Sequence, residues 1–172
     1  MVLIRGNLSL ILAEAMQTMG IRAFVGKLSM DISSRPTYKE SSAESSLRSA
    51  EEFIDSCRNL VSSYEPHRRL VEPVITPRFI PTCSHALLQG LGKLAIEKGA
   101  RIQSHMAEAQ EEVQWVLDER QKLDIDIFEQ ASNLSVLTDV ELMTFELLVQ
   151  AAYEIRSCPL HIPRYRHAGS DG

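Results

Sequence analysis

The chain has 172 residues, 44% of them hydrophobic and 24% charged, the make-up of an ordinary globular chain with enough length for one buried core. A formal net charge of -5, with no lysine- or arginine-rich run, excludes the basic field that gathers nucleic acid, so small molecules or other proteins are the expected partners. Cys57, Cys83 and Cys158 form no close pair, which points to a reducing compartment, and no apolar run approaches the roughly 20 residues of a membrane span. A soluble, cytoplasmic protein is expected.

Leu8 to Met19 is apolar at Leu8, Ile11, Leu12, Ala15, Met16 and Met19, a spacing that predicts a helix with one buried stripe, closed by Gly20. Ile21 to Gly26 is β-prone and predicts a strand. Ser41-Ser42-Ala43-Glu44 predicts a capping box that opens a long amphipathic helix reaching about Ser63, with Cys57 on its apolar side. Val71 to Thr76 predicts a second strand, limited by Pro73 and Pro77. Cys83 to Lys98 reads as a helix closed by Gly99, and Arg101 to Ser104 as a third strand. Glu108 to Lys122 reads as a fourth helix, with Trp115 expected in the core beside Val113, Val116 and Leu117. Helical stretches are expected over Ile125 to Ala131 and Asp139 to Ile155, followed by a disordered tail.

A helix followed by three β-α units implies a parallel sheet with helical crossovers and consecutive strands side by side. Three strands cannot close a barrel, and a complete eight-fold barrel needs about 250 residues. The residues alone predict an α/β chain that is either a small open sheet or an arc cut from a barrel.

Parallel α/β folds bind ligands beyond the carboxyl ends of their strands. Lys27 and Asp31 follow the first expected strand, Thr76, Pro77, Arg78 and Phe79 close or follow the second, and His105 and Glu108 follow the third. His105 stands where a zinc ligand would, although by spacing alone a lone histidine is more often packed or exposed. Glu108 suits proton transfer between a metal-bound water and a substrate nitrogen, or simply the first turn of a helix. Arg78 suits a fork of hydrogen bonds to a carbonyl and a ring nitrogen, with Phe79 stacking on a planar base, or a solvated loop. His67 and His85 carry no role, and Ser41 to Ser49 reads as a cap and a solvated face.

Gly20-Ile21-Arg22-Ala23-Phe24-Val25-Gly26-Lys27 with Met30-Asp31 is followed by Tyr38-Lys39-Glu40. Then come Val74-Ile75-Thr76-Pro77-Arg78-Phe79 with Cys83-Ser84, and Ile102-Gln103-Ser104-His105 with Glu108. This ordered set resembles the guanine deaminase family of the amidohydrolase superfamily, over roughly Leu10 to Gln130. The resemblance implies a (β/α)8 barrel with one zinc (Zn), guanine or a related purine as substrate, xanthine and ammonia as products, and a homodimer. It implies His105 as the metal ligand bordering the substrate and Glu108 as the catalytic carboxylate that protonates the purine ring. It implies Arg78 as the base-reading arginine, with Phe79 beside it.

The family's paired histidines, its next strand histidine and its late-strand aspartate have no counterpart in this sequence. Asn133 to Val136 runs directly into Leu137 to Leu142, as if a short segment were skipped, and Ser157 stands where a His-Cys-Pro element would carry histidine. The expectation is therefore a fragment, inactive alone and without stoichiometric zinc. It would comprise a partial (β/α)8 TIM-type barrel arc of about three to four β-α units over residues 1–130, a divergent helical segment over 131–158 and a disordered tail over 159–172. Two alternatives stay open: a non-catalytic interaction protein that uses exposed sheet edges, and an amidohydrolase for another amino-bearing ring, such as cytosine or a triazine. The Arg78-Phe79 pair favours guanine.

Overall fold

A computed structural model describes residues 6–132, so the expected segments at 139–155 and 159–172 lie outside the described residues. In chain order the elements are α1 (Gly6–Thr18), β1 (Ala23–Ser29), α2 (Ala43–Ser62), β2 (Val71–Pro77), α3 (His85–Lys98), α4 (Gln110–Arg120) and α5 (Asp124–Ser132). Single 3-10 turns at Pro36–Tyr38, Pro66–Arg68 and Ile80–Thr82 lie in the loops. β1 and β2 pair in parallel, with Val25 opposite Pro73 and Ser29 opposite Pro77. The expected third strand contracts to a parallel bridge between Ile75 and Ile102. There the Ile75 N–H donates to Arg101 O at 2.9 Å, and the Gln103 N–H donates to Ile75 O at 2.8 Å. The three segments therefore lie side by side in chain order, as helical crossovers require.

Alternation along the strands sends Val25 and Val71 into a cluster with Ala13, Phe53, Cys57 and Val61. Ile75 enters a second cluster with Ile54, Ile80, Leu87, Leu91, Val116, Ile127 and Phe128. β1 starts two residues later than Ile21 and runs on to Ser29, so Lys27 lies inside the strand and not after it. A buried ammonium is tolerated only with a partner. Lys27 pairs with the Glu40 carboxylate and donates to Leu28 O at 3.1 Å. Glu40 also accepts from the Ser46 hydroxyl, which draws Ser46 fully into the interior and corrects the expectation of a solvated serine face.

α1 turns over the predicted stripe: Leu8, Ile11, Leu12 and Met19 are exposed, while Ser9, Ala13 and Gln17 are buried. Hydrogen bonding and small size decide the packed face. Ser9 Oγ donates to Gly26 O at 3.3 Å, and Ala13 has no exposed surface. Gln17 Oε1 accepts the N–H groups of Leu70 and Val71 at 2.9 and 3.2 Å, while its Nε2 donates to Arg68 O at 2.7 Å. One amide thus satisfies the backbone at the start of β2, which a leucine there could not do. Trp115 is also corrected: it is 40% exposed, and the buried position on α4 is Val116. The cap of α2 sits at Ser42, one residue beyond the predicted Ser41, where the hydroxyl accepts from Ser45 N at 3.1 Å. Gly99 closes α3 with a left-handed φ of 53°, as its position predicts. Among the described residues no helix is long and apolar enough to cross a membrane.

Close approach fixes one further glycine. A Cβ on Gly26 would sit 1.9 Å from Thr76 Oγ1 and 2.9 Å from Val74 O on the neighbouring strand. Gly26→Ala should therefore lower stability by about 1–3 kcal/mol, read as a fall in the urea midpoint at constant slope. An unchanged midpoint would show that the strands can separate at this point.

Candidate functional site

The site is built where β2 ends. The Arg78 N–H continues the parallel ladder past the strand by donating to Ser29 O at 3.0 Å. This ties Arg78 to the end of β1 and leaves its side chain half-buried at the sheet's carboxyl edge. The guanidinium lies 5.4 Å from the Phe79 ring centroid and 5.8 Å from that of Tyr38, within reach of both π-faces. Its Nη1 also points at Met30 Sδ, 3.7 Å away.

The carbonyl of the same residue reaches the third segment. Arg78 O accepts the His105 N–H at 3.2 Å and faces His105 Nδ1 at 2.8 Å. A carbonyl can only accept, so Nδ1 carries the proton. In the neutral ring Nε2 is then bare, the nitrogen able to accept a hydrogen bond or ligate a metal. Ser104 Oγ adds a bond to Pro77 O at 2.9 Å. The histidine ring itself is exposed.

Beyond His105 the chain turns through Ala107, whose φ of 49° is left-handed. The Ala107 N–H donates to Asp124 Oδ2 and the Glu108 N–H donates to Glu112 Oε2, both at 3.1 Å. The second oxygen of each carboxylate, Asp124 Oδ1 and Glu112 Oε1, is buried without a partner among the described residues. Burial is the main force raising both carboxyls above their ordinary range, against the hydrogen bond each receives from the loop. Asp124 and Glu108 raise Glu112 further by charge, while His105 opposes them.

The structure therefore brings Arg78, Phe79 and His105 together and puts Glu108 three residues along the same loop, exposed. Because α4 begins only at Gln110, Glu108 lies before the helix and not in its first turn. Lys27 and Asp31 are occupied elsewhere: Lys27 with Glu40, and Asp31 in accepting the Ser84 N–H at 2.8 Å at the start of α3. Sequence reasoning assigns no role to Tyr38, Met30, Glu112 or Asp124. Tyr38 stands in the Tyr38-Lys39-Glu40 motif, but an acidic residue opening a helix, such as Asp124, looks like an ordinary dipole partner.

Residues 5–153 match the Amidohydrolase family. The chain belongs to the amidohydrolase family. It is 35% identical over 159 residues to "Probable guanine deaminase" of Schizosaccharomyces pombe, covering 88% of this chain and 29% of that protein. It is 41% identical over 106 residues to guanine deaminase of Dictyostelium discoideum, covering 62% of this chain and 22% of that one. Among solved structures, guanine deaminase from C. acetobutylicum with bound guanine in the active site aligns with a TM-score of 0.63 and 25% identity. That alignment takes in 82% of this chain and 35% of the other. The amidohydrolase chain thus spans under a third of the length of these curated relatives.

The fit of a zinc ion follows from the donors. A catalytic zinc takes about three protein ligands. Among the described residues no group of three or more His, Cys, Asp or Glu side chains could hold a metal ion. His105 supplies one nitrogen. Cys83 is no thiolate: burial pushes its thiol up to about 11, and its Sγ donates to Ser29 O at 3.4 Å. The described residues of this amidohydrolase chain do not make a zinc site.

The folded state holds protons on Asp124 and Glu112 more tightly than the unfolded chain does. Their contribution is therefore fully present below the ordinary carboxylate range and lost as pH rises through the raised values. The urea midpoint should fall from about pH 4 towards neutrality, less steeply in Asp124→Asn/Glu112→Gln; equal slopes in both proteins would refute this. Purified chain equilibrated with equimolar zinc and desalted should retain far less than one zinc by elemental analysis, and one tightly held zinc per chain would contradict the donor count.

Proposed function

We propose that this chain forms the base-reading wall of a guanine deaminase, as an arc of a (β/α)8 barrel, and that it does not complete the metal centre by itself. The observation that carries the reading is the Arg78–His105 junction. One residue offers a guanidinium flanked by Phe79 and Tyr38 on its side-chain end, and on its carbonyl end fixes the imidazole of His105. Relatives named guanine deaminase and a neighbour with bound guanine support that substrate.

Deamination replaces the amino group of guanine with oxygen from water, giving xanthine and ammonia. In this reading Arg78 donates its fork to the carbonyl and adjoining ring nitrogen of the base, a charge-assisted pairing that an amino-bearing ring without the carbonyl cannot return. The Phe79 ring supplies an aromatic face for the planar purine. Glu108 takes one proton from the attacking water and hands it to the ring nitrogen beside the reacting carbon. It then takes the second from the hydroxyl so formed and delivers it to the amino group, which leaves as ammonia while the carbonyl forms. Its exposed position on the loop leaves it open to substrate and solvent. His105 presents Nε2 as the nitrogen available to a metal. The zinc that the family implies needs ligands beyond this one, so no step is assigned to it.

The test is a chimera in which the matching 106-residue segment replaces its counterpart in the Dictyostelium enzyme. The chimera should release xanthine and ammonia from guanine. Within it, Arg78→Met should lower kcat/KM by about a hundredfold, and Glu108→Gln should lower kcat by about 10²- to 10⁴-fold. A folded, metal-loaded chimera that leaves guanine untouched, or one indifferent to both substitutions, would overturn the assignment.

A further inference from the structure

The loop that carries His105 and Glu108 contains a strained residue that local sequence does not explain. Ala107 has a φ of 49°, and in this region its Cβ crowds the backbone, so alanine stays there only where the surroundings over-determine it. The surroundings that do so are two carboxylates on successive amides: Asp124 Oδ2 on the Ala107 N–H and Glu112 Oε2 on the Glu108 N–H. They come from different elements. Glu112 belongs to the first turn of α4, and Asp124 opens α5, whose Ile127 and Phe128 pack into the main apolar cluster with Leu87 and Leu91 of α3.

We propose that Asp124 and Glu112 are positioning residues, a two-point clamp that sets the left-handed turn at Ala107 and thereby the aim of Glu108 relative to His105. Three features separate a clamp from incidental surface acids. Asp124 is almost wholly buried, the two bonds fall on consecutive N–H groups, and each carboxylate keeps a buried oxygen with no partner among the described residues. A buried acceptor without a partner is costly, and native structures keep such groups where geometry elsewhere requires them. Because α5 rests on α3, the clamp also makes the rim of the site depend on how that last helix docks. Its catalytic consequence rests on the guanine deaminase reading; the clamp itself does not.

The test uses this chain first. Amide hydrogen exchange followed by NMR should show Asp124→Ala exchanging at least about tenfold faster at Ala107 and Glu108, with the amides of β2 and α3 unchanged. Asp124→Asn, which keeps an acceptor oxygen, should restore the slow rates. Unchanged exchange in Asp124→Ala, an equal rise throughout the chain, or an Asn variant as loose as Ala would each overturn the clamp. In the Dictyostelium chimera extended through residue 132, Asp124→Ala should lower kcat by about tenfold or more with KM for guanine held by the intact Arg78, and Asn should recover it. A fall confined to KM would overturn the positioning role. A chimera inactive before any substitution would count against the deaminase reading and leave the exchange result standing.

Discussion

The carbonyl oxygen of Arg78 accepts from the backbone of His105 and faces its ring Nδ1, and the same residue's N–H donates to Ser29. These bonds join three chain segments at the carboxyl edge of the sheet, the end of β1, the end of β2 and the short segment that bridges at Ile102. Three of the four candidate site residues, Arg78, Phe79 and His105, meet at that junction. If the β1–β2 register slipped by one residue, Arg78 would turn to the helix side and the histidine would lose its acceptor.

The sheet is held in that register by polar groups as much as by apolar ones. On the helix side, Lys27 sits between β1 and α2 with its charge returned by Glu40, which in turn takes the Ser46 hydroxyl. Gln17 closes the open backbone at the start of β2, and Gly26 lets the Thr76 hydroxyl approach where any side chain would force the strands apart. Paired polar groups add little net stability, but Lys27, Glu40 and Gln17 would each be expensive to leave unpaired, so a slipped register is disfavoured.

Much of the architecture is legible in the order of the residues. Helix periods, the closing Gly20 and Gly99, and β-branched runs locate every described helix and the order of the parallel segments. The misreadings of burial share one cause, the assumption that apolar residues face inward. On α1 the buried line is Ser9, Ala13 and Gln17, because small size and hydrogen bonding to the strand matter more there than hydrophobicity. On β1 a lysine lies in the interior, which no period reveals without its distant partner Glu40. The site divides in the same way. Arg78, Phe79 and His105 are visible as polar or aromatic residues at strand ends, whereas Asp124 and Glu112 act through backbone amides that sequence cannot display.

The carbonyl of Arg78 faces the His105 ring at Nδ1, and the tautomer of that ring is the most direct measure of its hold. Two-dimensional ¹⁵N–¹H NMR of labelled chain, at a pH where the imidazole is neutral, should show the proton on Nδ1, protected from exchange, with Nε2 bare. A ring protonated on Nε2, or one averaging between the two tautomers, would mean that the carbonyl of Arg78 does not hold it and that the rim of the site is not assembled.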